Sequence, residues 1–208
     1  KNWEKQLAGW VLVANAQQGQ GRFGDAKNTF DVTVRALLQP PKESREPTRV
    51  APPWFNEAYA AFEDALAKRG GLKAGEIAGV FRSARSTGAV PQIALRIEFD
   101  YDKATLTPQG RTQVQEVAKA IADDSVREYA FQVSGHTDER EKVPGYNQGL
   151  SERRAQAVVA ELARLQPGLG SRLHPEGKAA TEPRIANAAD EAQHAVNRRV
   201  EFEAKQTP

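Results

Sequence analysis

At 208 residues, with 39% hydrophobic and 27% charged side chains, the chain can build one large domain or two small ones and has an ordinary globular balance. A formal net charge of +2 excludes a broad nucleic-acid footprint, and the absence of cysteine excludes disulfides, thiolate metal sites and cysteine nucleophiles. No apolar run reaches the roughly 18–20 residues of a membrane span, and a sequence pI of 8.9 leans towards anionic partners.

The first residues imitate a secretory leader. Leu7 to Val13 is apolar and Ala14-Asn15-Ala16 looks like a cleavage site, but Glu4 is out of place in a leader, so the segment is expected to be kept. Trp10-Val11-Leu12-Val13 is aromatic and β-branched. Phe30-Asp31-Val32-Thr33-Val34 alternates apolar and polar with period two. With the Gly-rich run QQGQGRFGDAKN between them, a β-hairpin is the first reading. A short helix using Trp3, Leu7 and Trp10 is the rival. The GQGRFG stretch lacks the Lys-Ser/Thr ending of a phosphate loop.

Prolines and charges from Gln39 to Pro47 predict an exposed linker. Residues 54–69 predict a helix with Trp54, Ala58, Phe62, Ala65 and Leu66 on its core face, stopped by Gly70-Gly71. A further short helix is expected within 72–91, with a boundary near Pro91. Residues 1–90 thus form an N-terminal region of unknown role, an α/β extension or small domain.

From Ile93 the pattern becomes regular. Ile93, Leu95, Ile97 and Phe99 alternate as a strand; Thr107 caps and Pro108 opens a helix bearing Val114, Val117, Ala118 and Ile121. Tyr129, Phe131 and Val133 make a second strand. A second helix runs from about Asn147 to Leu165, with Leu150, Val158, Leu162 and Leu165 as its apolar stripe. Residues 172–177 form a short strand and Val196–Phe202 the last, with one arginine of the Arg198-Arg199 pair on each face in structural roles. The predicted fold class is α+β, a β-α-β-α-β-β mixed sheet with helices packed on one face.

The stretch Ser134–Leu162 joins a strand end, a polar loop and a helix. It sets one acid, Asp138, in the loop and one base, Arg154, on the first turns of the helix. Across a cleft such a pair suits a zwitterion. The carboxylate accepts from an ammonium, and the guanidinium offers a planar fork to a carboxylate. Three other readings compete. The pair could be a plain surface ion pair. His136, Asp138, His174 and His194 lack compact metal-ligand spacing. Ser151 with His136 and Asp138 lacks the glycines of a nucleophile elbow.

Four motifs occur in order: Phe99-Asp100-Tyr101-Asp102-Lys103-Ala104-Thr105-Leu106, Gly135-His136-Thr137-Asp138, Tyr146-Asn147-Gln148-Gly149-Leu150-Ser151-Glu152-Arg153-Arg154-Ala155, and Asn197-Arg198-Arg199-Val200. Through them residues 93–204 resemble the OmpA-like peptidoglycan-binding domain. The resemblance implies a unit at 92–208 that binds the diaminopimelate of the peptidoglycan stem without catalysis, cofactor or metal. Its setting would be the periplasm, in association with the outer membrane. By this resemblance Asp138 holds the diaminopimelate ammonium and Arg154 its carboxylate. Asp102, Asn147, Leu150 and the backbone near Thr137 line the pocket, and Arg153 is solvated. An envelope protein is a further expected partner, through residues 1–90. The alternative implied is an interaction or wall-remodelling-associated domain on the same fold. The chain departs from the family pattern in the loop Glu139–Gly145, where Glu141 stands at a position often held by glycine, and at Gly177-Lys178-Ala179.

Overall fold

The structure is a computed structural model and describes residues 2–39, 48–140 and 143–206. Helices α1 (Asn2–Gly19) and α2 (Phe23–Thr33) open the chain, and a π-helical turn over Val34–Leu38 prolongs α2. Helices α3 (Pro53–Lys68) and α4 (Ala74–Ser86) follow. Then come β1 (Gln92–Leu95), α5 (Pro108–Ile121), β2 (Tyr129–Gly135), α6 (Tyr146–Leu165), β3 (Leu173–Gly177), α7 (Glu191–Asn197) and β4 (Val200–Gln206). Among the described residues no helix is long and apolar enough to cross a membrane.

The expected β-hairpin is helical instead. In α1, Leu7, Val11 and Ala14 are buried at helical spacing, while Trp10, Leu12 and Val13 are exposed. The rival helix is therefore the observed element, although it buries Leu7 and not Trp10. The Phe30–Val34 alternation misled because positions i and i+4 lie on one face at either period. Only Val32 separates the two, and it faces solvent. The linker expected at Gln39–Pro47 lies almost wholly outside the described residues.

Helix α3 forms where expected, but its face is turned. Phe55, Tyr59, Phe62 and Leu66 are buried and Trp54 is exposed. Gly70 and Gly71 end it with φ of +86° and +78°, the left-handed conformation that glycine adopts without a Cβ penalty.

The sheet has four strands in the order β1-β4-β2-β3. Strand β4 runs antiparallel to β1 and β2, whereas β2 and β3 are parallel, so the sheet is mixed. Register puts Ile93 and Val133 opposite Phe202, and Phe131 opposite Ala204 and Leu173. That face is apolar and joins one core with Val114, Val117 and Ile121 of α5 and with Val158 and Leu162 of α6. Two strand predictions need correction. The first strand ends at Leu95, and Phe99 makes only an isolated bridge to Leu106. The last begins at Val200, because Asp190 caps a helix by accepting from the Gln193 N–H at 2.9 Å and so takes Val196 and Asn197 into α7.

The described residues share one continuous core. Phe30, Phe55, Phe62, Ile77 and Phe81 belong to the same cluster as the sheet, with the Phe81 and Phe131 rings 5.4 Å apart. The Gln113 side-chain amide of α5 exchanges two 3.0 Å hydrogen bonds with the backbone of Leu72. Asp31 of α2 accepts from the backbone N–H of Ala94 on the edge strand β1 at 3.2 Å, which covers part of an otherwise unpaired edge.

Two glycines set the seat of α6. A Cβ on Gly135 would lie 2.2 Å from the Ser151 carbonyl oxygen, and one on Gly177 would lie 2.6 Å from the Glu152 nitrogen. Their bare backbones let the ends of β2 and β3 press against the first turns of α6. Asn147, Leu150 and Arg154 thereby come beside the loop that carries Asp138.

Candidate functional site

A cavity of about 690 Å³ opens at this junction. Asp102, Thr137, Asp138, Asn147, Leu150 and Arg154 all line it, so the six residues expected from sequence are brought together. Phe99, Tyr101, Arg140, Tyr146, Glu191 and Arg198 complete the wall.

Each side chain is placed by an identifiable device. The 99–106 loop closes through Asp100 N–H to the Thr105 carbonyl at 2.8 Å, and it carries Asp102 at φ +60°. Holding a non-glycine residue there costs of order 1–3 kcal/mol and needs outside support. The Tyr146 hydroxyl supplies it by donating to Asp102 Oδ1. The Thr137 N–H donates to the Ala179 carbonyl at 2.9 Å, while the buried Thr137 hydroxyl has no hydrogen-bond partner among the described residues. Asn147, buried on the first turn of α6, donates to the Asp138 carbonyl at 3.1 Å and fixes the loop to the helix.

The two charged ends differ. The Asp138 carboxylate is already engaged, accepting from Arg140 Nη2 and Arg198 Nη1 at 2.6 Å each and from the Arg140 backbone N–H at 3.1 Å. Burial alone would raise its pKa, but the hydrogen bonds from Arg140 and Arg198 outweigh burial and hold it down at about 2. Arg154 is anchored by Nε, which donates to the Lys103 carbonyl at 3.0 Å, and by stacking over the Phe99 ring at 5.0 Å. Among the described residues no carboxylate comes within 4.0 Å of its guanidinium. Burial, and then the charge of Arg198, lower its pKa. The pocket therefore holds a partly desolvated, under-compensated cation facing a compensated anion.

Sequence reasoning missed Arg140, Glu191 and Arg198. Arg198 was expected to be purely structural in a strand; it precedes β4 and bridges Asp138 to Glu191 across the pocket rim. Its neighbour Arg199 has the expected structural role, buried and donating to Glu201 at 2.7 Å. Arg153 is exposed, off the pocket. Ser151 donates to the Gln148 carbonyl and accepts from the Ala179 N–H, so its hydroxyl closes the loop after β3. Among the described residues no three His, Asp or Glu side chains converge as a metal site would require. Glu141 lies outside the described residues.

The depressed Asp138 pKa has a consequence for acid stability. A carboxylate whose folded pKa lies near 2, against an ordinary 3.8, contributes stability above pH 3.8 that is lost as pH falls towards 2. With partly exposed arginine partners the contribution is about 1–2 kcal/mol. Urea titrations at a series of pH values should show Asp138→Asn less stable than the parent at neutral pH and equal to it near pH 2. A constant gap across that range would refute the assignment.

Residues 98–198 match the family model described as the OmpA family. Outer membrane protein A of Escherichia fergusonii is 33% identical over 116 residues, which are 51% of this chain and 46% of that protein. Outer membrane protein A of Bordetella avium is 39% identical over 109 residues, 50% of this chain and 52% of that protein. The chain thus spans about half the length of these relatives. The structure of the cell wall anchor of the T6SS from Pseudomonas aeruginosa is similar at 25% identity and a TM-score of 0.48, over 63% of this chain and 97% of that one.

Proposed function

We propose that the OmpA-like domain at residues 98–198 binds peptidoglycan non-covalently through the diaminopimelate of the stem peptide, and so anchors a periplasmic or outer-membrane protein to the cell wall. One observation carries this reading. The cavity holds Arg154 partly buried with no carboxylate partner among the described residues, opposite the Asp138 carboxylate. A ligand carboxylate on Arg154 completes a bidentate pair that only arginine can offer. An ammonium on the same ligand then lies towards Asp138. Charge-assisted hydrogen bonds of roughly 1.5–3 kcal/mol each give a weak single site, which a polymeric wall strengthens by avidity. Sedimentation with diaminopimelate-type sacculi tests the proposal. The protein should pellet with them, and no retention would sink the idea.

A ligand ammonium shares Asp138 with two arginines, since Oδ2 already accepts from both and, among the described residues, Oδ1 accepts only from the Arg140 backbone. Arg140 is the one of the two more able to give way, because half its side chain is exposed against 29% for Arg198. Arg140→Ala should therefore leave binding intact or tighten it by up to about fivefold, as read by calorimetry. A large loss would instead make Arg140 part of the ligand contact.

A second reading concerns residues 1–90, as a surface for an envelope partner. Trp10, Leu12 and Val13 on α1 favour it, being 46%, 69% and 43% exposed. A photocrosslinker at position 12 should capture one discrete envelope protein in cells, and a diffuse background would count against a dedicated partner.

A further inference from the structure

A second cavity of about 240 Å³ adjoins the first and shares Phe99, Arg154 and Arg198 with it. Arg96, His136 and Arg199 line it further, with Glu98 as the one carboxylate among its described lining residues. It is smaller than the about 300–1,000 Å³ of cofactor-sized pockets and suits a single small group.

Its hydrogen-bonding capacity is unbalanced. Arg199 is spent, donating to Glu201, to the Asn197 carbonyl and to the Glu182 carbonyl. Arg198 is spent on Asp138 and Glu191. Arg154 uses only Nε, on the Lys103 carbonyl. Among the described residues Arg96 has Glu98 alone, at 4.0 Å, beyond hydrogen-bond distance. His136 is 2% exposed, and among the described residues neither of its buried ring nitrogens has a hydrogen-bond partner. A buried imidazole with neither nitrogen satisfied is costly, of order 1–3 kcal/mol per group, and calls for an occupant. Burial and the Arg199 charge hold the ring neutral at pH 7, so it has one N–H to give. Glu98 lines the cavity and Glu201, 4.0 Å from His136 Nε2, is taken up by Arg184 and Arg199, so two guanidiniums with spare donors and one imidazole N–H leave a surplus of donors that selects an acceptor-rich anion.

We propose that this second cavity is an oxyanion subsite, in which Arg96, Arg154 and His136 hold a carboxylate or phosphate group beside the main pocket. The subsite shares Arg154 with the main pocket, but Arg96 and His136 do not line the main cavity, so they report on the subsite separately from the diaminopimelate reading. The group comes either from a second anionic arm of the main-pocket ligand or from free phosphate.

The test is a titration of ¹⁵N-histidine-labelled full chain with inorganic phosphate at constant ionic strength, observing the imidazole nitrogens. The His136 signals should shift saturably, while those of the exposed His174 stay fixed. Arg96→Gln should weaken the response about tenfold or more, and Arg96→Lys should recover part of it. Phosphate that leaves His136 unmoved, or moves it equally in parent and Arg96→Gln, overturns the proposal. Adding a diaminopimelate stem peptide identifies the source. Displacement of phosphate means that the ligand supplies its own anionic arm, and joint occupancy means that the subsite takes a free ion. A stem peptide that fails to bind at all leaves the phosphate result intact, so the two readings fail separately.

Discussion

Arg154→Ala should abolish sedimentation with diaminopimelate-type peptidoglycan. Removing one partner of a charged contact costs about 2–5 kcal/mol, a factor of roughly 30 to several thousand. A single site of this kind starts from weak affinity, so avidity cannot restore a loss of that size. Arg154→Lys separates charge from geometry. It keeps the cation but loses the planar fork, the Nε bond to the Lys103 carbonyl and the stack over Phe99, and should fall between parent and alanine variant. Circular dichroism should find both variants folded, since Arg154 lies at the pocket surface. Wild-type sedimentation by Arg154→Ala would remove the guanidinium from the ligand site altogether.

The second large effect is on stability and lies far from the pocket. Lys27 of α2 is 2% exposed, and its ammonium donates to Asp31 at 2.8 Å, to Glu63 at 2.6 Å and to the Tyr59 hydroxyl at 3.2 Å. Burial opposes its charge, but Asp31 and Glu63 more than compensate and raise its pKa. Asp31 in turn holds the Ala94 N–H on β1. Lys27→Ala leaves two carboxylates buried without their cation, which costs about 3–5 kcal/mol. Most domains have only about 5–15 kcal/mol in all. Urea unfolding should therefore show a large fall in midpoint at unchanged slope. Neutralising the whole group, as Lys27→Met with Asp31→Asn and Glu63→Gln, should recover much of the loss, because the penalty comes from unpaired charge. A loss below about 1 kcal/mol in the single variant would mean that the cluster is hydrated.

The same cluster explains where the sequence was legible and where it was not. Residues 107–177 read well because each element carries its own period and its own stop. Thr107 caps α5 by accepting from the Gly110 N–H at 3.0 Å, and Val114, Val117 and Ile121 fall on one face. Helix α2 did not read as a helix because its buried face is half charged. Lys27 and Asp31 belong to the inward stripe with Ala26, Phe30 and Val34, and a pattern that scores charge as outside loses that stripe. The pocket was legible where motif order marked it, at Asp138, Asn147 and Arg154. Arg140 and Arg198 were not, because their roles depend on the loop fold that brings both onto one carboxylate. Arg198 offered one usable signal, a charged residue just outside a strand pattern, which the misplaced strand boundary hid.

Calorimetry on the full chain, comparing a diaminopimelate stem peptide with its lysine counterpart, tests the central claim most directly. Lysine keeps the ammonium but lacks the carboxylate assigned to Arg154, so binding it would leave that guanidinium desolvated and unpaired. We predict saturable binding of the diaminopimelate peptide and at least about tenfold weaker binding of the lysine peptide. Equal affinity for the two would contradict the account.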